Sequence, residues 1–226
     1  MNITKTPIEG LLIIEPKVWK DNRGYFYESF NAKTLAEAGI NVNFVQDNQS
    51  FSQKGALRGL HAQKAPFDQG KLVRVIQGKV MDVVVDIRKG SPTYGNHYDI
   101  ELSGENHRQL WVPPGFVHGF LTLEDETIFT YKVSNYYDKD SEIGVIWNDA
   151  DLNIQWNKVI SENEFILSDK DQILPAFKDF NSPFLYVIIV NYCLIKLYSS
   201  SSLGESTISI LLFLLLPSAP VFGARG

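Results

Sequence analysis

Along most of the chain, apolar residues come in short runs or alternate with polar ones, and Gly, Pro, Asn or Asp separates nearly all of these stretches. The pattern predicts strands at 11–16, 25–30, 43–46, 56–61, 71–76, 80–87, 98–102, 109–112, 117–123, 127–133 and 144–147. A turn is expected over Asp21, Asn22, Arg23 and Gly24. One helix is expected, over 31–39, with Asn31 as its cap and Gly39 closing it. Many short strands with turn signals and almost no helix indicate a sandwich or barrel. The 80–87 run carries Asp82 and Asp86 among apolar residues, so it is read either as a strand with inward polar groups or as an edge. No internal repeat of solenoid or propeller spacing is present.

The pattern breaks near Asn181. From Ser182 to the end only Lys196, Glu205 and Arg225 are charged, and Ser199 to Ser202 is low-complexity. The chain is therefore divided into a folded domain, 1–181, and an atypical apolar tail, 182–226, expected to lie outside the fold. The apolar run from Ile208 to Leu216 is short for a membrane span, so membrane attachment is not expected. At 226 residues the chain can bury a real core. Its formal charge of -5 argues against a nucleic-acid partner, although a local basic cleft remains compatible with an anionic small molecule. A single cysteine, Cys193, excludes an intrachain disulfide and a cysteine-based zinc site. The first residues lack the basic and apolar regions of a signal peptide, and a cytoplasmic location is the simplest expectation.

Candidate chemistry concentrates between Leu57 and Val75, where Arg58, His61, Lys71 and Arg74 lie close together. An imidazole beside cations suits proton removal from an anionic, carbonyl-bearing substrate. Strict alternation places Gly59 and His61 on one face and Arg58 and Leu60 on the other, unless a bulge intervenes. Of the four histidines, His61 and His118 lie on strand-like segments and are the functional candidates, whereas His97 and His107 sit in polar, turn-like sequence and are expected to be exposed. A metal held by alternate histidines would need a second ligand at position 63, which is Gln63, so no metal is expected. Tyr131 is a candidate proton donor. Asp171 suits either the partner of a basic imidazole or a helix cap.

The chain resembles the dTDP-4-dehydrorhamnose 3,5-epimerases. The resemblance runs from about Ile3 to Pro175 and rests on DNRGYFYE (21–28), FVQDNQS (44–50), LRGLH (57–61), QGKLVR (69–74) and VVVDIR (83–88). It continues through SPTYG (91–95), RQLWVP (108–113), GFVHGF (115–120), Tyr131 with Lys132, and WND (147–149). It implies an all-β, cupin-like double-stranded β-helix (jelly roll) with a few short helices, working without a cofactor. The substrate would be a dTDP-4-keto-6-deoxy sugar. The implied catalytic residues are His61 as base, Asp171 as its partner, Lys71 at the enolate oxygen and Tyr131 as the opposing acid. Arg23, Phe26, Glu28, Gln46 and Asn48 would meet the nucleotide, Arg58 the diphosphate and sugar, and His118 and Tyr137 the sugar pocket. A homodimer is implied, its N-terminal strand crossing to the partner's site, with a product used for cell-surface polysaccharide such as the O antigen of lipopolysaccharide. The residue after His61 is usually aromatic in that family and is Ala62 here. An epimerase acting at C3 only, and a cupin that binds nucleotide sugar without turnover, remain as alternatives.

Overall fold

The computed structural model describes residues 1–187. Its strands are β1 (Asn2–Lys5), β2 (Leu12–Glu15), β3 (Trp19–Asp21), β4 (Gly24–Phe26), β5 (Gln46–Ser52), β6 (Leu57–Gln63) and β7 (Lys71–Gln77), followed by β8 (Lys79–Asp86), β9 (His97–Ser103), β10 (Gln109–Val112), β11 (Phe116–Thr122), β12 (Thr127–Val133) and β13 (Glu142–Gly144). One α-helix, α1 (Ala32–Glu37), interrupts them, and the rest of the helical structure is single 3₁₀ turns. A six-stranded sheet runs β1-β2-β10-β7-β12-β5 and a five-stranded sheet runs β13-β6-β11-β8-β9, while β3 and β4 pair only with each other. The pairings are antiparallel throughout the sheets. This is the jelly roll expected.

Alternation decides what each sheet buries. Val73, Val75 and Phe129 of the larger sheet meet Val80, Val84, Phe116 and Phe120 of the smaller one in the central core. Residues of the opposite parity on the smaller sheet, Val83, Val85 and Val117, pack against Val145, Leu152 and Trp156 of the C-terminal segment. Strand β8 is thus buried on both faces, which explains its nearly unbroken apolar run. On the outer face of the larger sheet, Ile14, Leu72 and Trp111 receive Leu35 from α1. Burying a leucine-sized side chain in this way contributes roughly 1.5–3 kcal/mol. Asn31 caps α1, its side-chain oxygen accepting from the backbone N–H of Thr34 at 3.1 Å.

Asp82 and Asp86 resolve to inward groups: both are fully buried, and β8 lies between β11 and β9 rather than at an edge. Asp86 accepts hydrogen bonds from Arg88 Nε (2.9 Å) and Nη2 (2.7 Å), Ser91 Oγ (2.6 Å) and Thr93 Oγ1 (2.7 Å). Burial alone would raise its pKa, but these donors, with the Arg88 charge among them, hold it below the ordinary carboxylate range.

Several expected boundaries move. The stretch 25–30 is not one strand: Gly24–Phe26 closes the small hairpin with Trp19–Asp21, and the chain then leaves extended pairing. The strand expected at 43–46 instead begins at Gln46 and runs to Ser52. Its buried-side positions include Asn48 and Ser50, so no apolar alternation marks it. The last strand lies at Glu142–Gly144 rather than 144–147, paired with Gln63 to His61. β1, a polar strand at the sheet edge, carried no apolar signal.

The compact unit extends to Tyr186, five residues beyond the boundary expected at Asn181. The Lys89 N–H donates to the Phe184 carbonyl and the Tyr186 N–H to the Lys89 carbonyl, both at 2.9 Å. Phe184 packs on the Trp156 cluster. The rest of the apolar tail, from 188, lies outside the described residues. Among the described residues no helix is long and apolar enough to cross a membrane.

Candidate active site

Strand β6 creates the site by breaking its own alternation. His61 pairs with His118 and Arg58 with Phe120, so three steps along β6 match two along β11. The extra residue is a bulge. It turns Arg58 and His61 into the same cavity, where strict alternation had separated them. Gly59 makes the bulge possible: its φ is +122°, and a Cβ there would lie 2.5 Å from Gly119 Cα and 2.8 Å from the His118 carbonyl oxygen.

The cavity has a volume of about 540 Å³. His61, Arg58 and His118 enter it from the smaller sheet, and Lys71 and Tyr131 from the larger one, so the imidazole faces the phenol across the sandwich. Phe120 and Phe129, stacked at 4.2 Å, give it an apolar floor.

His61 Nε2 lies 2.6 Å from Asp171 Oδ1. Asp171 is 4% exposed and sits in a turn closed by its N–H donating to the Ser168 carbonyl at 3.1 Å; it caps no helix. Burial pushes the Asp171 pKa up, but the hydrogen bond and charge of His61, with smaller help from Ser168 and Lys170, leave it below its ordinary value. One ring nitrogen of His61 is thereby committed, leaving the other for a substrate proton.

Lys71 opens β7, and among the described residues its ammonium makes no hydrogen bond. Desolvation lowers its pKa to about 8, against the opposing pull of Asp82 and Glu142. Burial raises the Tyr131 phenol above its ordinary value, with a hydrogen bond from Asn48 and the charge of Arg58 acting the other way. Arg58 donates to Ser52 Oγ at 3.2 Å. His118 Nε2 lies 2.8 Å from Asp82 Oδ2, while the other Asp82 oxygen is buried without a hydrogen-bond partner among the described residues. Tyr137 donates to Glu142 Oε2 at 3.0 Å, and Lys170 pairs with the other oxygen of the same carboxylate.

His61, Lys71, Tyr131, Asp171, Arg58, His118 and Tyr137, all candidates in the sequence, therefore line one cavity. Gln46 and Asn48, joined by a 2.8 Å hydrogen bond, line an adjoining recess that shares His61, Lys71 and Tyr131 with the cavity. Arg23, Phe26 and Glu28 stand apart from it. Arg23 is paired with Asp21 at 2.6 Å, Phe26 is 69% exposed, and Glu28 accepts from Asn31. Among the described residues no cluster of His, Cys, Asp and Glu could hold a metal. Gln63 spends its amide on loop backbone, donating to the Phe67 and Tyr136 carbonyls and accepting from the Asp138 N–H.

Three wall or support residues escaped the sequence reading. Glu142 had no signal, because its strand was misplaced. Lys170 was legible only as the neighbour of Asp171. Asp82 was read as an inward group or an edge residue, and not as the partner of His118. His107, expected to be exposed, is buried and packs against the rings of both Tyr25 and Tyr27.

Residues 5–179 match the family model described as dTDP-4-dehydrorhamnose 3,5-epimerase. A Shigella flexneri protein of that name is 55% identical over 172 residues, covering 76% of this chain and 93% of the relative. The crystal structure of dTDP-4-dehydrorhamnose 3,5-epimerase from Elizabethkingia anophelis superposes with a TM-score of 0.77 at 51% identity, covering 80% of this chain and 99% of that one. A Legionella pneumophila dTDP-6-deoxy-D-glucose-3,5-epimerase, solved in complex with dTDP-4-keto-L-rhamnose, gives 0.78 at 47% identity, covering 83% and 99%. The jelly roll, the cavity and these matches agree, and the chain belongs to the dTDP-4-dehydrorhamnose 3,5-epimerase family of isomerases.

Proposed function

We propose that this chain converts dTDP-4-dehydro-6-deoxy-D-glucose to dTDP-4-dehydro-L-rhamnose by inverting C3 and C5, with His61 as base and Tyr131 as acid. The observation that carries the reading is the meeting of His61 and Tyr131 from opposite sheets in one cavity that also holds Lys71. Each inversion removes a proton α to the 4-ketone and returns one to the other face of the same carbon. His61 takes the proton and becomes an imidazolium, which Asp171 orients and stabilises. The electron pair moves onto the ketone oxygen, and the Lys71 ammonium stabilises that enolate. Tyr131 then protonates the carbon from the far side. Exchange with solvent resets both groups before the second carbon reacts. The net change is configuration alone, so no redox or group-transfer partner is needed.

Arg58 offers a guanidinium fork to the diphosphate, His118 and Tyr137 border the sugar, and Gln46 and Asn48 extend the site towards the nucleotide. Arg23, Phe26 and Glu28 contact the nucleotide from the N-terminal arm. Because none of them lines the cavity of its own chain, the arm serves the cavity of a second copy in a homodimer. A rhamnosyl donor of this kind serves cell-surface polysaccharide, O antigen of lipopolysaccharide included, and the enzyme works in the cytoplasm.

Proton NMR of the substrate in D₂O tests the reaction. Deuterium should enter C3 and C5 with the full chain and neither position with His61→Ala. Exchange at C3 alone would replace the double epimerase with a single one, and binding without exchange would end the catalytic reading.

A further inference from the structure

The β3–β4 hairpin belongs to neither large sheet, and all of its strand residues are exposed. Its Arg23–Asp21 and Trp19–Phe26 pairs are internal, so they shape the hairpin without fastening it to the body. What lies between hairpin and body is His107, in the loop between β9 and β10. Its ring centroid is 4.8 Å from that of Tyr25 and 4.9 Å from that of Tyr27, and the two tyrosines lie 5.9 Å apart. The ring is 8% exposed although it sits in a surface loop. Two further bonds secure the chain just beyond: Arg74 Nη1 donates to the Tyr27 hydroxyl at 3.2 Å, and Gln109 Nε2 to the Ser29 carbonyl at 2.9 Å.

We propose that His107 is a positioning residue for substrate binding, its ring clamping Tyr25 and Tyr27 and so fixing the pose of the hairpin that carries Arg23 and Phe26. The inference rests on the reading of those two residues as nucleotide contacts. The backbone at His107 adopts φ +55°, a conformation uncommon outside glycine and most open to Asn, Asp and His. A loop that needed only this turn would be served by Asn. A buried ring tilted against both tyrosines is more than the turn needs, and the clamp accounts for it. Burial and then the nearby Lys20 charge hold the imidazole pKa below its ordinary value, which favours the neutral ring against the tyrosines.

His107→Asn is the informative variant, because it keeps the backbone preference and removes the ring. In the full chain it should speed native-state trypsin cleavage at Lys20 and Arg23, and raise the Kd for dTDP and the KM for substrate, each by about tenfold. The kcat should stay within about twofold of the parent. Tyr25→Leu, which alters an exposed residue, should reproduce both effects. Unchanged cleavage in His107→Asn, or an unchanged KM in both His107→Asn and Tyr25→Leu, would overturn the clamp. Arg23→Ala separates the two levels of the argument. If it leaves dTDP affinity unchanged, the nucleotide reading fails. If it weakens dTDP while His107→Asn does not, the positioning role fails alone.

Discussion

In the proposed reaction Lys71 acts only while it carries its proton, and the cavity makes that proton easier to lose. With a pKa of about 8, the side chain is cationic below that pH and neutral above it. The stabilisation of an enolate should therefore fade as pH rises through about 8, giving kcat/KM a falling alkaline limb there. Lys71→Arg, whose guanidinium stays charged, should remove that limb whatever its effect on the maximum rate. A parent profile flat to pH 10 would contradict the role. At Asp171, proposed to orient the base, Asp171→Asn should lower kcat by about 10²–10⁴, because the imidazole loses the carboxylate that fixes its tautomer and stabilises its charge. Histidine, lysine and tyrosine were legible as candidates because few residue types do this chemistry. Their carboxylate partners were less so. Asp171 lies 110 residues from His61, and Glu142 reaches the wall from a strand whose position the apolar pattern did not mark.

Elements were legible wherever one face is apolar. The bounds of β10 and β12 coincide with the expected ones because Leu110 and Val112, and Phe129 and Val133, reach the core. β5 was misplaced because its inward face is partly polar, lining the recess rather than the core. The same polarity that hid the strand marks its place at the site. In β6 the bulge imposes the most exacting local requirement. Gly59→Ala adds a Cβ against the Gly119 backbone at a φ suited to glycine, and should cost about 2–4 kcal/mol in urea unfolding. A cost under ~1 kcal/mol would mean that β6 can relax without the bulge. The clash itself follows from register between distant strands, which periodicity along one strand does not encode.

At the scale of the whole molecule, Asp86, Asp171 and Glu142 all have pKa values below their ordinary range in the folded state. For Asp86 and Asp171, as for Glu142, burial opposes the shift and the donors around each carboxylate outweigh it. A depressed folded pKa contributes stability above the unfolded value of about 4. That stability is lost as pH falls through the lower folded values. Urea midpoints should thus be steady near neutrality and drop below about pH 4. Asp86→Asn should flatten the drop and cost roughly 3–5 kcal/mol at pH 7, because it strands the donors of a buried ion pair. The proposed homodimer gives a second prediction: mixing Arg23→Ala, weakened in substrate binding, with inactive His61→Ala should raise kcat/KM above that of Arg23→Ala alone if the hairpin serves its partner's cavity. No recovery on verified subunit exchange would confine each site to one chain. The domain edge was legible only as a change of charge density. Residues 182–186 read as tail because Phe184, Leu185 and Tyr186 look alike whether they pack on a body or not. The bulge in β6 also bears on descent. A one-codon insertion or deletion between Leu57 and His61 would turn either Arg58 or His61 away from the cavity, however conservative the residue involved. Lineages can therefore rewrite many letters of this strand while its length stays fixed, and variation in chain length has to accumulate in the loops.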